Sequence, residues 1–233
     1  MYDLGDLVYL DLNKTGSKFV LDFLKKCSTL HLKSEAEHEP IRESYNPKAF
    51  HFITVRHPYS QYSSLFRYGL DGKGWICRRI NESGNKHLYK AENFNKWLGF
   101  VLDKSNASLL GEGYDQLPSA YELGFLSFRY LRLSLIFPLK TLALYKSLID
   151  PVSSAMRASI VDYVIKNEEL NSGLKKFATT VKPEFFHQSR VEQFFERAKK
   201  VNESKTKEID IEPVSDENKE IIKRKEFLLM RLY

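Results

Sequence analysis

Cysteine is scarce in this chain, and its scarcity excludes two kinds of protein. Cys27 and Cys77 are the only cysteines among 233 residues, and no CxxC pair occurs. Two cysteines cannot form a disulfide scaffold, and these two lack the spacing of a cysteine-based metal site. We therefore expect no disulfide framework, and a reducing cytoplasm is the simplest compartment.

Long apolar runs are absent as well. The longest apolar stretch, near residues 131–144, is interrupted by Arg132, Pro138 and Lys140. It is too short and too polar to span a bilayer. The first 14 residues contain no basic segment followed by a long apolar run, so they do not resemble a signal peptide. We expect a cytoplasmic chain whose contact with a membrane is at most peripheral.

Charge of one sign is not concentrated in any segment. Lys and Arg number 36 against 30 Asp and Glu, a net charge of +6, and the two signs are interleaved without a basic tail. General nucleic-acid binding needs a basic patch or stripe, whereas a dispersed excess is sufficient for a small anionic ligand. We expect a small-molecule partner and no nucleic acid.

The sequence does contain enough apolar residues for a core, at 42% hydrophobic and 13% aromatic. Its length predicts a single domain over residues 1–233. Apolar runs predict buried strands at residues 7–12, 50–56 and 161–165. Helical spacing predicts helices at residues 18–26, 59–68, 94–102, 119–136, 152–157, 168–177, 188–200 and 216–232, while residues 140–148 fit a helix or a strand. Residues 69–115 are predicted to be an irregular insert.

The first motif lies between the first predicted strand and helix. Residues 13–18 read NKTGSK, a turn that aims free backbone N–H groups and the positive helix end at one point, with Lys14 as a mobile charge. This pattern predicts an anion site. It is not a Walker A loop, because Asp11 stands where that motif has its first glycine. The alternative is an ordinary strand-to-helix turn with a solvated lysine.

The second motif follows the next predicted strand. Arg56 ends that strand, and Ser64 lies two turns along the helix that begins after Pro58. Both can face the edge formed by the carboxyl ends of the strands, where open α/β folds bind ligands. Arginine offers a bidentate fork to a phosphate, and serine adds a donor. The alternative is an arginine paired with a carboxylate and a serine exposed on a helix.

Together the two motifs resemble the sulfotransferases that use 3′-phosphoadenosine 5′-phosphosulfate (PAPS). In that family a Pro-Lys-Thr-Gly-type loop holds the 5′-phosphosulfate, and an Arg-Asn/Asp-Pro motif with a serine eight residues after the arginine holds the 3′-phosphate. Three further segments, at residues 34–38, 163–170 and 201–205, resemble family segments in the same order. The resemblance spans roughly residues 7–207. It implies a central parallel β-sheet flanked by helices, the P-loop-NTPase-like sulfotransferase fold.

The sequence departs from the family pattern in the loop and after the second strand. Asn13 replaces the usual proline, Lys18 stands where a second hydroxyl residue is usual, and His57 replaces Asn or Asp. With lysine at position 18, the chain lacks the hydroxyl contact to the 5′-phosphate that the family pattern implies there. Residues 69–115 resemble nothing assignable.

The resemblance implies transfer of a sulfuryl group from PAPS to a hydroxyl of a carbohydrate or glycolipid, such as a lipid-linked sugar, without a metal. It implies that Lys14 stabilises the leaving phosphate and that His38 is the base, with Glu35, Glu37 and His31 as alternatives. The residues implied to bind PAPS, and its product 3′,5′-adenosine bisphosphate (PAP), are Lys14, Thr15, Gly16, Ser17, Lys18, Arg56, Ser64, Ser204 and Lys205. Two other functions remain open, a P-loop-type nucleotide kinase and a non-catalytic relative that binds nucleotide or glycan.

Overall fold

The structure is a computed structural model that describes residues 1–118, 121–198 and 210–233. These residues fall into two compact units. The first unit contains described residues 1–56, 133–137 and 159–198, and the second contains described residues 57–118, 121–132, 138–158 and 210–233. The expectation of a single domain over residues 1–233 stays a prediction, and each unit is described by itself.

The first unit contains a five-stranded sheet with the strand order β3-β1-β2-β4-β5. Strands β2, β4 and β5 run parallel, with Leu7 opposite Phe50 and Phe52 opposite Tyr163. Strand β1 pairs antiparallel with both β2 and β3. The strands are β1 (Tyr2–Asp3), β2 (Leu7–Leu10), β3 (Ser34–Glu35), β4 (Phe50–Val55) and β5 (Tyr163–Lys166). The α/β class is confirmed, whereas the prediction of a purely parallel sheet is wrong, because this sheet is mixed.

The antiparallel pairing of β1 and β2 follows from the short connection between them. Only residues 4–6 join the two strands, and parallel strands need a crossover of a dozen or more residues. Gly5 turns the chain at a φ of +93°, and its N–H donates to Asp3 Oδ1 at 2.7 Å. Strands β1 and β3 have two residues each, which is too short to give a hydrophobic pattern.

Helices supply the rest of the described secondary structure. The α-helices are α1 (Ser17–Cys27), α2 (Pro58–Leu70), α3 (Trp75–Glu82), α4 (Phe94–Leu102), α5 (Ala107–Leu110), α6 (Phe125–Ser134), α7 (Pro138–Tyr145), α8 (Pro151–Arg157), α9 (Leu170–Lys176), α10 (Gln188–Ala198), α11 (Asp216–Lys225) and α12 (Phe227–Met230). Short 3₁₀ turns lie at Arg42–Ser44, Lys86–Leu88, Ala91–Asn93, Lys104–Asn106, Tyr114–Gln116, Asn167–Glu169 and Pro183–Phe185, and a π-turn lies at Phe177–Val181. No helix of the described residues is long and apolar enough to cross a membrane.

The core of the first unit lies between the sheet and helices α1 and α10. Every residue of β2 is buried, as expected for a strand covered on both faces. Helix α1 buries Val20, Phe23, Leu24 and Cys27, which share one face at helical spacing. The ring of Phe23 lies 5.3 Å from that of Phe194 on α10. The packed α1 therefore holds the loop that precedes it at a fixed place on the sheet.

The predicted irregular insert at residues 69–115 is wrong in its description, because helices α3, α4 and α5 lie within it. Helix α3 buries Ile76, Cys77 and Ile80, which share one face. The glycines that suggest an irregular segment lie outside this helix, and Gly74 immediately before it has a φ of +90°. Helix α4 coincides with the helix predicted at residues 94–102.

Other helix predictions are corrected at their boundaries. Residues 140–148, undecided from the sequence, belong largely to α7, and the helix predicted at 119–136 shortens to α6. The predicted C-terminal helix at 216–232 divides into α11 and α12 at Glu226. The backbone N–H of Asn218 donates to Ser215 Oγ at 3.3 Å, so Ser215 caps the start of α11.

Glu226, at that break, is a fully buried carboxylate in the second unit. Its side chain accepts a hydrogen bond from the hydroxyl of Tyr62 at 2.5 Å. It also accepts from the backbone N–H groups of Leu126 and Ser127, at 3.2 and 2.7 Å, in the first turn of α6. Glu226 thus joins α2 and the start of α6 to the break between α11 and α12.

Candidate active site

The loop between β2 and α1 is shaped by two left-handed residues and by buried hydroxyls. Lys14 and Gly16 have φ values of +65° and +95°. The Thr15 hydroxyl donates to the carbonyl of Leu12 at 2.6 Å and lies 2.7 Å from Thr54 Oγ1 on β4. Thr15 is fully buried, and its hydroxyl fixes the loop between β2 and α1 through these two contacts.

Position 16 requires glycine for two reasons, the positive φ of its backbone and the close approach of neighbouring side chains. A Cβ at this position would lie 2.6 Å from Leu170 Cδ2 and 2.9 Å from Asn167 Nδ2. These two residues directly follow β5, within residues 163–170, whose sequence resembles a sulfotransferase segment. The structure therefore brings that segment against the loop.

Helix α1 begins at Ser17, immediately after this turn. Its N-cap, Gly16, makes no side-chain capping bond, and no acidic residue lies in its first turn. The first N–H groups of a helix have no acceptor within the helix, and the helix dipole makes this end positive. The turn therefore leads into a helix end that favours an anion, with Lys14 half-buried in the loop and Lys18 exposed on the first turn.

Arg56 joins this loop from the neighbouring strand. It follows β4 directly, and its Nη1 donates to the backbone carbonyl of Lys14 at 3.5 Å. Because β2 and β4 are parallel, their carboxyl ends share one edge of the sheet. The structure thus brings together Lys14 and Arg56, which the two sequence motifs predicted at this edge.

The other predicted binding residues lie elsewhere. Ser64 is half-buried on α2 in the second unit, and its pairing with Arg56 stays a prediction. Ser204 and Lys205, predicted to close over the nucleotide, lie outside the described residues.

His38, the predicted base, lies against the end of β2. Its Nδ1 is 3.0 Å from Asp11 Oδ1 and 3.0 Å from the backbone carbonyl oxygen of Asp11. Its backbone N–H donates to Asp11 Oδ2 at 3.3 Å. The side chain is 26% exposed, and its Nε2 lies 3.7 Å from Glu37 Oε1. His38 is therefore partly open to solvent and bonded to a residue next to the loop.

Asp11 connects His38 to the start of α1. Its side chain is fully buried, and Oδ1 accepts a hydrogen bond from Ser17 Oγ at 2.6 Å. Burial alone raises the pKa of the Asp11 carboxyl, but the hydrogen bonds from His38 and Ser17 and the charge of His38 outweigh burial and hold it below 3.8. Asp11 thus stays ionised inside the protein.

Asp11 was not singled out from the sequence. The available signal was an acidic residue directly after a run of buried strand residues, since a buried charge requires partners. Its main partner lies 27 positions away, and no local pattern indicates such a contact.

The alternative bases have less specific surroundings. Glu35 lies on the exposed strand β3, with its carboxylate 3.8 Å from Lys25 Nζ. Glu37 is 64% exposed beside His38, and His31 is exposed. Among these groups, His38 has the buried carboxylate partner.

Asp11, Glu37 and His38 could also hold a metal ion. Each offers one ligand atom, and these atoms lie within 4.8 Å of one another. The expectation that no metal takes part stays a prediction, and this cluster is the place to test it.

No protein-family model, no curated protein and no solved structure matches this chain. The function is therefore argued from the motifs and from the geometry of the site.

Proposed function

We propose that this protein is a sulfotransferase that moves a sulfuryl group from PAPS to a hydroxyl group of a carbohydrate or glycolipid. One observation carries the proposal. Lys14, Arg56 and the start of α1 meet at the carboxyl edge of the parallel strands, and Asp11 ties His38 to the same helix start. The groups proposed to bind the polyanion and the proposed base therefore lie in one unit.

The anion-binding groups suit the charges of PAPS. The N–H groups at the start of α1 and the Lys14 ammonium would bind the 5′-phosphosulfate, because both present positive charge at the turn. Arg56 would bind the 3′-phosphate through its planar fork. Arg56 would thereby select PAPS over nucleotides without a 3′-phosphate.

The transfer itself needs a base and a stabilised leaving group. The acceptor oxygen attacks sulfur and forms a new S–O bond while His38 takes the hydroxyl proton. The S–O bond to the 5′-phosphate breaks, its electron pair stays on the phosphate oxygen, and Lys14 stabilises that charge. The products are the sulfated acceptor and PAP.

A phosphoryl-transferring P-loop enzyme is less compatible with the same loop. In that family a Ser or Thr hydroxyl at the helix start binds magnesium. Here the Ser17 hydroxyl donates to the buried Asp11 carboxylate at 2.6 Å.

Calorimetric titration with PAP in the presence of EDTA tests the donor site. We expect micromolar or tighter binding, with ATP and 5′-AMP binding at least tenfold more weakly because they lack the 3′-phosphate. Arg56→Ala should weaken PAP binding at least tenfold. Arg224→Ala is the matched control, since it removes an exposed arginine on α11 and should leave the affinity unchanged.

The titration also separates the alternative functions. Equal affinity for ATP and PAP, or no binding of PAP, would overturn the proposal and reopen nucleotide kinase activity with Mg²⁺. PAP binding without transfer from PAPS to any of a panel of glycans and glycolipids would instead support a non-catalytic relative.

A further inference from the structure

We propose that Asp11 is a positioning residue that holds the proton of neutral His38 on Nδ1 and so makes Nε2 the atom that accepts a proton. The catalytic meaning of this proposal rests on the proposed function. Its structural part, the protonation of one ring nitrogen, can be measured without turnover.

The position of the ring proton follows from the two oxygens beside Nδ1. Asp11 Oδ1 and the Asp11 carbonyl oxygen each lie 3.0 Å from this nitrogen. A carbonyl oxygen and an ionised carboxylate can only accept hydrogen bonds. Nδ1 must therefore donate, and in the neutral ring the lone pair then belongs to Nε2.

Asp11 is itself held in place, so it can act as the fixed partner. Its Oδ1 accepts from the Ser17 hydroxyl and its Oδ2 from the backbone N–H of His38. It lies between the end of β2 and the start of α1, two packed elements, and is fully buried. His38, in contrast, lies on a loop with a φ of +59°. The rigid carboxylate therefore orients the loop histidine.

Asp11 also supplies charge when the histidine reacts. Once Nε2 has taken a proton, the ring carries a positive charge, and its Nδ1 lies 3.0 Å from the fully buried, ionised carboxylate of Asp11. This arrangement stabilises the imidazolium, which is the role of the aspartate in Ser-His-Asp catalytic sites. Glu37 faces the opposite nitrogen but is 64% exposed, so solvent screens its charge. The α-amino group of Met1 adds a positive charge that acts on Asp11.

Nitrogen-15 NMR of the full chain, labelled at its six histidines and kept in EDTA, tests the ring directly. His38→Gln assigns the signals. We expect neutral His38 to carry its proton on Nδ1. In Asp11→Asn we expect a mixture with the Nε2–H form and a titration midpoint lower by about 1 pH unit, because the anion beside the ring is lost. Glu37→Gln is the matched control, with an expected change of about 0.3 pH units or less.

Unchanged ring protonation and an unchanged midpoint in Asp11→Asn would overturn the proposal and leave Asp11 as a structural anchor of the loop. Neutral His38 protonated on Nε2 in the unaltered protein would overturn it as well.

Turnover then tests the catalytic consequence. We expect Asp11→Asn to lower kcat for sulfuryl transfer at least about 100-fold. The KM for PAPS should change much less, because Lys14 and Arg56 hold the donor. A chain that fails to bind PAP but shows the expected NMR shifts would refute the sulfotransferase assignment and retain the positioning role. PAP binding and sulfuryl transfer with no NMR change in Asp11→Asn would support the sulfotransferase assignment and refute the positioning role of Asp11.

Discussion

Each of the two units contains a fully buried carboxyl group, and the pKa values of the two groups are shifted in opposite directions. Asp11 in the first unit and Glu226 in the second are both 0% exposed. The pKa of Asp11 lies below its ordinary value, whereas burial raises the pKa of Glu226 above 4.5. A difference in burial therefore does not explain the opposite pKa shifts of Asp11 and Glu226.

The difference lies in the partners. Glu226 accepts from one tyrosine hydroxyl and two backbone N–H groups, all neutral, and these bonds do not outweigh its burial. Asp11 has fewer neutral donors but lies beside an imidazole that can carry charge. A buried carboxylate thus keeps a lowered pKa where a residue that can carry positive charge lies beside it. The neutral donors around Glu226 do not have this effect.

The largest effect that this comparison predicts is the loss of stability in Glu226→Ala. The substitution leaves the Tyr62 hydroxyl and the N–H groups of Leu126 and Ser127 buried without their acceptor. Each of these three groups costs about 1–3 kcal/mol when left unsatisfied, so we expect the free energy of unfolding to fall by at least about 3 kcal/mol. Urea denaturation at pH 7 measures it.

Glu226→Gln is the matched control, because the amide keeps one acceptor and removes the buried charge. We expect it to cost less than about 1.5 kcal/mol. The raised pKa of Glu226 also determines how its contribution to folding stability depends on pH. That contribution is full below pH 4.5 and is lost as pH rises through the folded-state pKa. The free energy of unfolding of the glutamine variant should therefore increase relative to that of the unaltered protein as pH rises. A loss below about 1 kcal/mol in Glu226→Ala would contradict a structural role.

Asp11→Asn should show a smaller effect on stability with the opposite dependence on pH. The pKa of Asp11 is lowered on folding, so its contribution is present above pH 3.8 and is lost as pH falls through the folded-state pKa. We expect the variant to lose about 1 kcal/mol at pH 7 and the difference to shrink in acid. Urea denaturation over pH 3–7 checks this, and a difference that grows in acid would contradict an ionised Asp11.

The sequence predicted the parts of the fold whose pattern is local. The apolar runs identified β2, β4 and β5 within about two residues at each end, and the proline at position 58 marked the start of α2. Strands β1 and β3 were missed because two-residue strands exist only through pairing with neighbours. The mixed sheet follows from those two strands, so it could not be predicted either.

The candidate site divides in the same way. Lys14 and Arg56 were predictable, because each follows a strand and parallel strands end at one edge. Asp11 and Glu226 were not, because their roles depend on partners 27 and 164 positions away. Local patterns therefore locate the residues of the candidate loop better than the buried charges beside them.

A second histidine, His51, extends the comparison. His51 on β4 is 2% exposed, and its Nε2 has no hydrogen-bond partner among the described residues. Burial lowers its pKa below 6.5, although the charges of Asp162 and Asp3 act in the opposite direction. The 3.6 Å from its Nδ1 to Asp162 Oδ2 exceeds a hydrogen bond, unlike the 3.0 Å between His38 and Asp11.

His51 should therefore destabilise the fold in mild acid. Below pH 6.5, His51 is protonated in the unfolded chain but stays neutral in the folded protein. The free energy of unfolding therefore falls as pH falls towards the folded-state pKa. Between pH 7.5 and 5.5, we expect the unaltered protein to lose more of its unfolding free energy than His51→Phe, by no more than about 1.4 kcal/mol, the limit reached if folded His51 takes up no proton in this range. His187→Gln, which removes an exposed histidine, should behave as the unaltered protein does. Equal slopes for all three chains in urea denaturation would show that His51 titrates alike in both states, and that a nearby carboxylate can serve a buried imidazole without the short contact that Asp11 makes.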